Sequence, residues 1–324
     1  MKNQMKKIFS LLAAAILLLS SLALFSCGKT LPVIGINQYA QHPSLDNCRT
    51  GFLAGLAEAG LTEGKDFSVD VQNAGADDNL NAQIASTFAS KNAALMVGIA
   101  TPSAMACFNA AEEKDIPVVF IAVTDPAAAS LTEGNVTGTS DRLPVTAQLE
   151  LIRKLQPDAK TIGILYTLSE PNSVSAIAEY KEKAPSYGFT IEAVGVAAQS
   201  EVPLATDSLI AKKVDCFSNL TDNGVVDVLD SILEKTNAAG IPVYGSEVEQ
   251  VKKGCVASAG IDYYKLGIQT GKLAARILRG EAKAADIPFE AVTEYEIYLN
   301  ETACGELDVS VPADVAASAV KADA

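Results

Sequence analysis

The chain of 324 residues contains no tryptophan and a single histidine, His42. A Ser-His-Asp relay would have to run through that one imidazole, and zinc motifs built on paired histidines are absent. No Cys-x-x-Cys occurs among the six cysteines, which removes the common redox and metal signatures. Positive charge is scarce: 25 Lys and Arg stand against 39 Asp and Glu, for a formal charge of −14. A surface this acidic repels phosphate backbones and anionic headgroups, so nucleic acid is excluded as a partner. Hydrophobic residues make up 49% of the chain, enough for the cores of two domains of ordinary size.

The one long apolar run lies at the start. Lys2, Lys6 and Lys7 precede an apolar stretch from Ile8 to Leu19, and Leu24-Phe25-Ser26-Cys27 follows. The stretch is too short for a settled transmembrane helix and reads as an export signal over residues 1–27. Leu24, Ser26 and Cys27 resemble the bacterial lipobox, in which the cysteine is acylated, although Phe25 is bulkier than usual there. Acylation at Cys27 would hold the protein on a membrane without a spanning helix, because each buried methylene contributes roughly 0.8 kcal/mol. The other reading is plain cleavage beside an incidental cysteine. The remaining five, Cys48, Cys107, Cys216, Cys255 and Cys304, are odd in number and sit among apolar neighbours, which suits buried fillers and predicts no disulfide.

The mature chain repeats itself. Pro32-Val33-Ile34-Gly35-Ile36 is answered by Lys160-Thr161-Ile162-Gly163-Ile164, Ala94 to Thr101 by Val214 to Thr221, and Ile116-Pro117-Val118 by Ile241-Pro242-Val243. Three matched strands at an offset of about 125 residues predict two similar lobes rather than a solenoid, whose units recur every 20 to 50 residues or so. The strands are near-continuous apolar runs separated by helix-length segments, which predicts parallel sheets covered by helices. The fold class is therefore α/β: two similar Rossmann-like lobes with a cleft between them.

Ligands of open parallel sheets sit beyond the carboxyl ends of the strands. The residues at those positions are Gln38, Tyr39 and His42 after the first strand, Thr101 after the next, and Thr124 and Asp125 after the next. Ser140 and Asp141 follow a segment whose composition suits a crossing between lobes. In the second lobe Glu170, Asn172 and Ser173 stand opposite the Gln38 loop, Thr221, Asp222 and Asn223 close a strand, Glu247 closes another, and Asp262 and Tyr263 lead into a helix. Carboxylates and hydroxyls of this kind equally serve as helix caps. Tyr39, Tyr166 and Tyr263 could stack on an aromatic ligand or simply pack at the rim.

These loops, together with Asn135-Val136-Thr137-Gly138-Thr139-Ser140-Asp141 and Gly260-Ile261-Asp262-Tyr263-Tyr264-Lys265-Leu266-Gly267, resemble the substrate-binding lipoproteins of ABC importers, in the branch associated with tryptophan and related amino acids. The resemblance spans nearly the whole mature chain. It implies a periplasmic-binding-protein type I fold with three crossings, near Thr139, Gly260 and about Asp286. The first lobe is then residues 28–139 with 263–285, the second 140–262 with 286–311, and 312–324 an Ala- and Asp-rich tail expected to fray. The implied protein is a monomer that captures a small ligand outside the cytoplasm, from a lipid anchor, and delivers it to a permease; it uses no cofactor and no metal and carries no catalytic residue.

A zwitterionic amino acid needs an anion for its ammonium, for which Asp141, Glu170, Asp222, Glu247 and Asp262 are the candidates, and donors for its carboxylate. Two other readings stand beside this one. A chemoreceptor or sensor kinase would use the same binding module, and a two-lobed racemase would use one cysteine per lobe. Cys107 lies inside a helix and Cys216 inside a strand, which argues against the racemase.

Overall fold

The computed structural model describes residues 30–322. The export segment and Cys27 lie outside those residues. Two sheets form, one per lobe. The first runs β11-β5-β4-β3-β1-β2, from β1 (Val33–Gln38), β2 (Ser68–Asn73), β3 (Leu95–Ile99), β4 (Val118–Ile121), β5 (Val136–Ser140) and β11 (Glu290–Ala291). The second runs β13-β12-β10-β9-β8-β6-β7, from β6 (Thr161–Thr167), β7 (Thr190–Val196), β8 (Cys216–Ser218), β9 (Val243–Glu247), β10 (Ala257–Ile261), β12 (Glu296–Leu299) and β13 (Val320–Lys321). The internal repeat is thus structural: β1, β3 and β4 occupy the places that β6, β8 and β9 occupy in the other lobe. Every pairing is parallel except β10 with β12. The central strands are buried on both faces, as helix-covered parallel sheets require.

The helices that shape the cleft begin where strands end. In the first lobe these are α1 (Pro43–Glu58), α2 (Asp78–Ser90) and α3 (Thr101–Ala111). The second lobe has α4 (Val145–Leu155), α5 (Pro171–Lys183), α6 (Val202–Ala211), α7 (Asn223–Asp227), α8 (Leu229–Ala238) and α9 (Val248–Lys253). Pro43, Pro102 and Pro171 occupy first turns of their helices, where a missing N–H leaves no bond unmade. The helix α10 (Tyr263–Leu278) follows β10 but packs on the first lobe: Tyr263, Leu266, Leu273 and Ala274 belong to its core.

Helices α1 and α10 meet backbone to backbone. A Cβ added at Gly51, Gly55, Gly267 or Gly271 would stand 2.1, 2.2, 2.3 and 2.2 Å from carbonyl oxygens of Tyr264, Ile268, Cys48 and Phe52. The glycines permit this approach and fix the two helices together. Both helices start at the cleft.

The structure differs from the sequence reading at two places. Ile287 joins the first lobe's core and Glu290–Ala291 pair with β5, so the third crossing falls at residues 292–295 rather than near Asp286. The tail does not fray through its length: α12 (Ala313–Ser318) buries Val315, and β13 adds to β12, because one apolar side chain per turn suffices to dock a short helix. Between them, α11 (Glu301–Glu306) is capped by Asn300. All five cysteines among the described residues are buried, and none is joined in a disulfide.

Candidate functional site

A cavity lies between the lobes at the carboxyl ends of the strands. Sheet order sets its layout. At the crossing side stand Asp141, which follows β5, and Tyr263, which follows β10, while Glu247, the last residue of β9, stands nearer the middle and meets Ser44 of the first lobe. The middle of the first-lobe wall is Ala100 and Thr101 after β3 and Ala122 and Thr124 after β4. The far side gathers His42 after β1, Asn172 after β6, and Thr221 and Asn223 after β8. Ser44, Leu45, Val226 and Gln250 complete the wall.

Nine residues named from the sequence therefore meet at one cavity: His42, Thr101, Thr124, Asp141, Asn172, Thr221, Asn223, Glu247 and Tyr263. The others stand behind the wall or outside it. Gln38 ties the first loop, donating to the Ala40 carbonyl (2.8 Å) and accepting from Arg49 (2.8 Å). The Tyr39 hydroxyl turns away to Asp78 (2.9 Å), and Tyr166 is not part of the wall. Asp125 accepts from the Ala128 N–H and Ser140 donates to the Thr124 carbonyl. Asp222 caps α7 through the Val225 N–H and receives the Thr167 and Ser173 hydroxyls. Asp262 caps α10 through the Tyr264 and Lys265 N–H groups and lines a separate groove. The cap reading, equally open from sequence, describes these last two.

Six wall residues went unnamed as site candidates. Ala100 and Ala122 carry positive φ, 76° and 59°. At ψ 156°, Ala100 sits in a region that is essentially glycine territory, at a strain of order 1–3 kcal/mol. Paired strain at two adjacent strand ends marks a backbone shaped for contact, and small apolar side chains give no sequence signal of it. Gln250 is held by three bonds, donating to the Leu220 carbonyl and accepting from Ser246 N–H and Asn219.

The electrostatics are one-sided: no Lys or Arg lines the cavity. Asp141 is 2% exposed and accepts the hydroxyls of Tyr263 at 2.5 Å and Thr124 at 3.0 Å. Burial without a cation pushes its pKa above the usual carboxylate range. Glu247 caps α9 through Glu249 and Gln250 N–H groups and bonds Ser44 across the cleft; burial pushes it up to about 7. Thr101 Oγ1, Asn172 Oδ1 and His42 Nδ1 are buried with no partner among the described residues. Burial holds His42 below its ordinary pKa, hence neutral.

Cross-lobe bonds run from Asn47 to Glu249 (3.2 Å) and between His42 Nε2 and Asn223 Oδ1 (3.4 Å). No cysteine lines the cavity, and burial pushes the Cys107 thiol up to about 12. Among the described residues no cluster of His, Cys, Asp and Glu could hold a metal, and no helix is long and apolar enough to cross a membrane.

The chain is similar to known proteins. A tyrosine-binding protein of Clostridioides difficile is 39% identical over 85% of this chain and 81% of its own length. The structure of an ABC domain in complex with L-Trp from Streptococcus pneumoniae, 34% identical, superposes with a TM-score of 0.86, covering 90% of this chain and 99% of that one. A ligand-free, open structure of a substrate-binding protein with adhesive properties from Clostridium difficile is 37% identical with the same coverage, yet its TM-score is 0.68. At similar identity, the structure superposes better on the complex with L-Trp than on the ligand-free, open form. The family model for ABC transporter substrate binding proteins matches residues 12–323, and the chain belongs to that family.

Proposed function

We infer that, as a member of this family, the chain works outside the cytoplasm, takes a small molecule, and has an ABC permease as its partner. We propose that the molecule is an aromatic amino acid. The observation that carries this is a cavity between the lobes with two buried carboxylates, Asp141 and Glu247, and no Lys or Arg in its wall. An ammonium is the partner such a pair lacks, and buried carboxylates gain most from one. The carboxylate of the ligand goes to the Thr101 hydroxyl and the free N–H groups at the start of α3, where the helix dipole favours negative charge. Leu45, Ala100, Ala122 and Val226 supply apolar surface for a ring, with the Tyr263 ring beside them. The tyrosine-binding relative and the L-Trp complex support the same class of ligand.

Binding then acts through the lobes. A ligand held by the first lobe completes its bonds to Glu247, Asn172 and Asn223 only when the second lobe closes, so it shifts the open–closed equilibrium by its preference for the closed form. The permease reads that closed shape. Capture from dilute solution calls for a dissociation constant of about micromolar or tighter, roughly −8 kcal/mol. The protein acts as a monomeric carrier without catalysis, anchored by acylation at Cys27. Asp141→Asn tests the ammonium site by calorimetry with tyrosine and tryptophan. Loss of one partner of a buried charge pair removes about 2–5 kcal/mol, so affinity falls at least some thirty-fold; an unchanged affinity would remove Asp141 from the site.

A further inference from the structure

Glu170 is 1% exposed and does not reach the cavity, yet two wall residues hang on it. Its Oε2 receives the Asn223 side-chain Nδ2 at 2.7 Å, the Asn172 Nδ2 at 3.1 Å and the Asn223 backbone N–H at 3.1 Å; its Oε1 receives the Gly224 N–H at 3.1 Å. Every bond to its oxygens comes from an N–H, so both amides turn their NH₂ groups to it, even as burial and then the charge of Asp222 push its pKa up to about 8. Their carbonyl oxygens then face the other way. Asn223 Oδ1 meets His42 Nε2 at 3.4 Å, which makes Nε2 the protonated nitrogen and leaves Nδ1 with a lone pair. His42 Nδ1 and Asn172 Oδ1 are both buried, both in wall residues and both without a protein partner.

We infer that Glu170 is a specificity-positioning residue: through Asn172, Asn223 and the His42 tautomer it makes the far side of the cavity a hydrogen-bond acceptor, which selects a ligand whose side chain ends in a donor. This rests on the aromatic amino-acid reading and sharpens it. With the ammonium at Asp141, on the crossing side, the ring extends past Glu247 toward His42 and Asn172, on the side of β1 and β6. A phenol O–H or an indole N–H offers the donor; a phenyl ring does not. Phenylalanine would leave a buried acceptor unpaired, and sites built around a ligand hydroxyl reject the analogue that lacks it far more strongly than apolar pockets reject an extra group.

The chain has one histidine, so ¹⁵N labelling at histidine gives a spectrum of His42 alone. Its ring nitrogens should report the Nε2–H tautomer in the wild-type protein, and an Nδ1–H tautomer would overturn the inference with or without ligand. Calorimetry with tyrosine, tryptophan and phenylalanine should give phenylalanine an affinity roughly a hundred-fold below tyrosine's. Glu170→Ala should weaken tyrosine while leaving phenylalanine nearly unchanged, bringing the two within about ten-fold, and should blur the tautomer signal. A wild-type protein that binds phenylalanine as tightly as tyrosine refutes the acceptor wall while the aromatic reading stands. If none of the three binds, the aromatic reading fails, and the tautomer alone decides whether Glu170 orders this wall.

Discussion

Gly271→Ala sets two opposite expectations against each other. Alanine in a helix interior is favoured over glycine by about 1 kcal/mol, so helix propensity alone makes the substitution stabilising. The structure reverses the sign. The new Cβ would stand 2.2 Å from the Phe52 carbonyl oxygen and 2.9 Å from both Gly55 Cα and Leu56 N, all backbone atoms that no rotamer change can move. A comfortable carbon–oxygen approach is about 3.3 Å, so α1 and α10 must separate by roughly 1.1 Å. Overpacking of this kind costs about 1–3 kcal/mol or more, leaving a net loss of up to about 2 kcal/mol. For lobes of this size that lowers the melting temperature by roughly 4–8 °C. Ligand affinity should fall too, since His42, Ser44 and Leu45 ride on the start of α1 and Tyr263 on the start of α10. Gly305 in α11 is the control: nothing lies within 4 Å of its Cβ position, so Gly305→Ala should gain about 0.5–1 kcal/mol. Urea unfolding of both variants decides it. A stabilised Gly271→Ala with unaltered binding would refute the tight helix contact.

Three further outcomes are expected. Glu247 has a folded pKa of about 7, raised by burial from 4.5, so its contribution to ligand-free stability is fully present below pH 4.5 and lost as pH rises through 7, by about 3 kcal/mol at 1.36 kcal/mol per unit; across pH 4–8, denaturation of Glu247→Gln should show a shallower slope than wild type, the remainder coming from Asp141 and Glu170, which burial also raises, while wild-type affinity for tyrosine rises through the same window as the carboxylate ionises. Ala100→Gly relieves the strained φ of 76° and should leave the protein as stable or up to about 1 kcal/mol more so, against the usual sign for alanine to glycine, while weakening ligand binding through the lost methyl; a loss of stability in thermal melts would contradict the strain. Asp262→Ala removes the cap of α10 and should cost about 1 kcal/mol of stability with under three-fold change in affinity, whereas a ten-fold loss would return Asp262 to the site.

The two-lobed plan was legible because buried parallel strands write themselves as apolar runs, and the repeat of Ile34-Gly35-Ile36 in Ile162-Gly163-Ile164 made the duplication visible. The strand ends were legible too, and nine wall residues come from them. What one-dimensional spacing cannot separate is a carboxylate that caps from one that faces a ligand: Asp222 and Asp262 stand at strand ends like Glu247, but only Glu247 both caps and reaches the cavity. Ala100 and Ala122 were invisible because a backbone twist leaves no mark on an alanine. The Asp286 boundary erred by a few residues because β11 is two residues long and exposed, so no hydrophobic pattern announces it. Val315 alone could not distinguish a docked tail from a frayed one.

Neither lobe is continuous in sequence, and this orders the chain's assembly in time. The first sheet has five of its strands by residue 140, yet α10, which covers α1, and β11 come only at residues 263–291. At 5–20 residues per second of synthesis, about 150 residues take roughly 8 to 30 s, during which the glycine face of α1 and the Phe52 side of that core have no cover. The second lobe waits longer, because β13 at Val320–Lys321 closes its sheet. A nascent chain of this design keeps both lobes unfinished until β11 and β13 have been made.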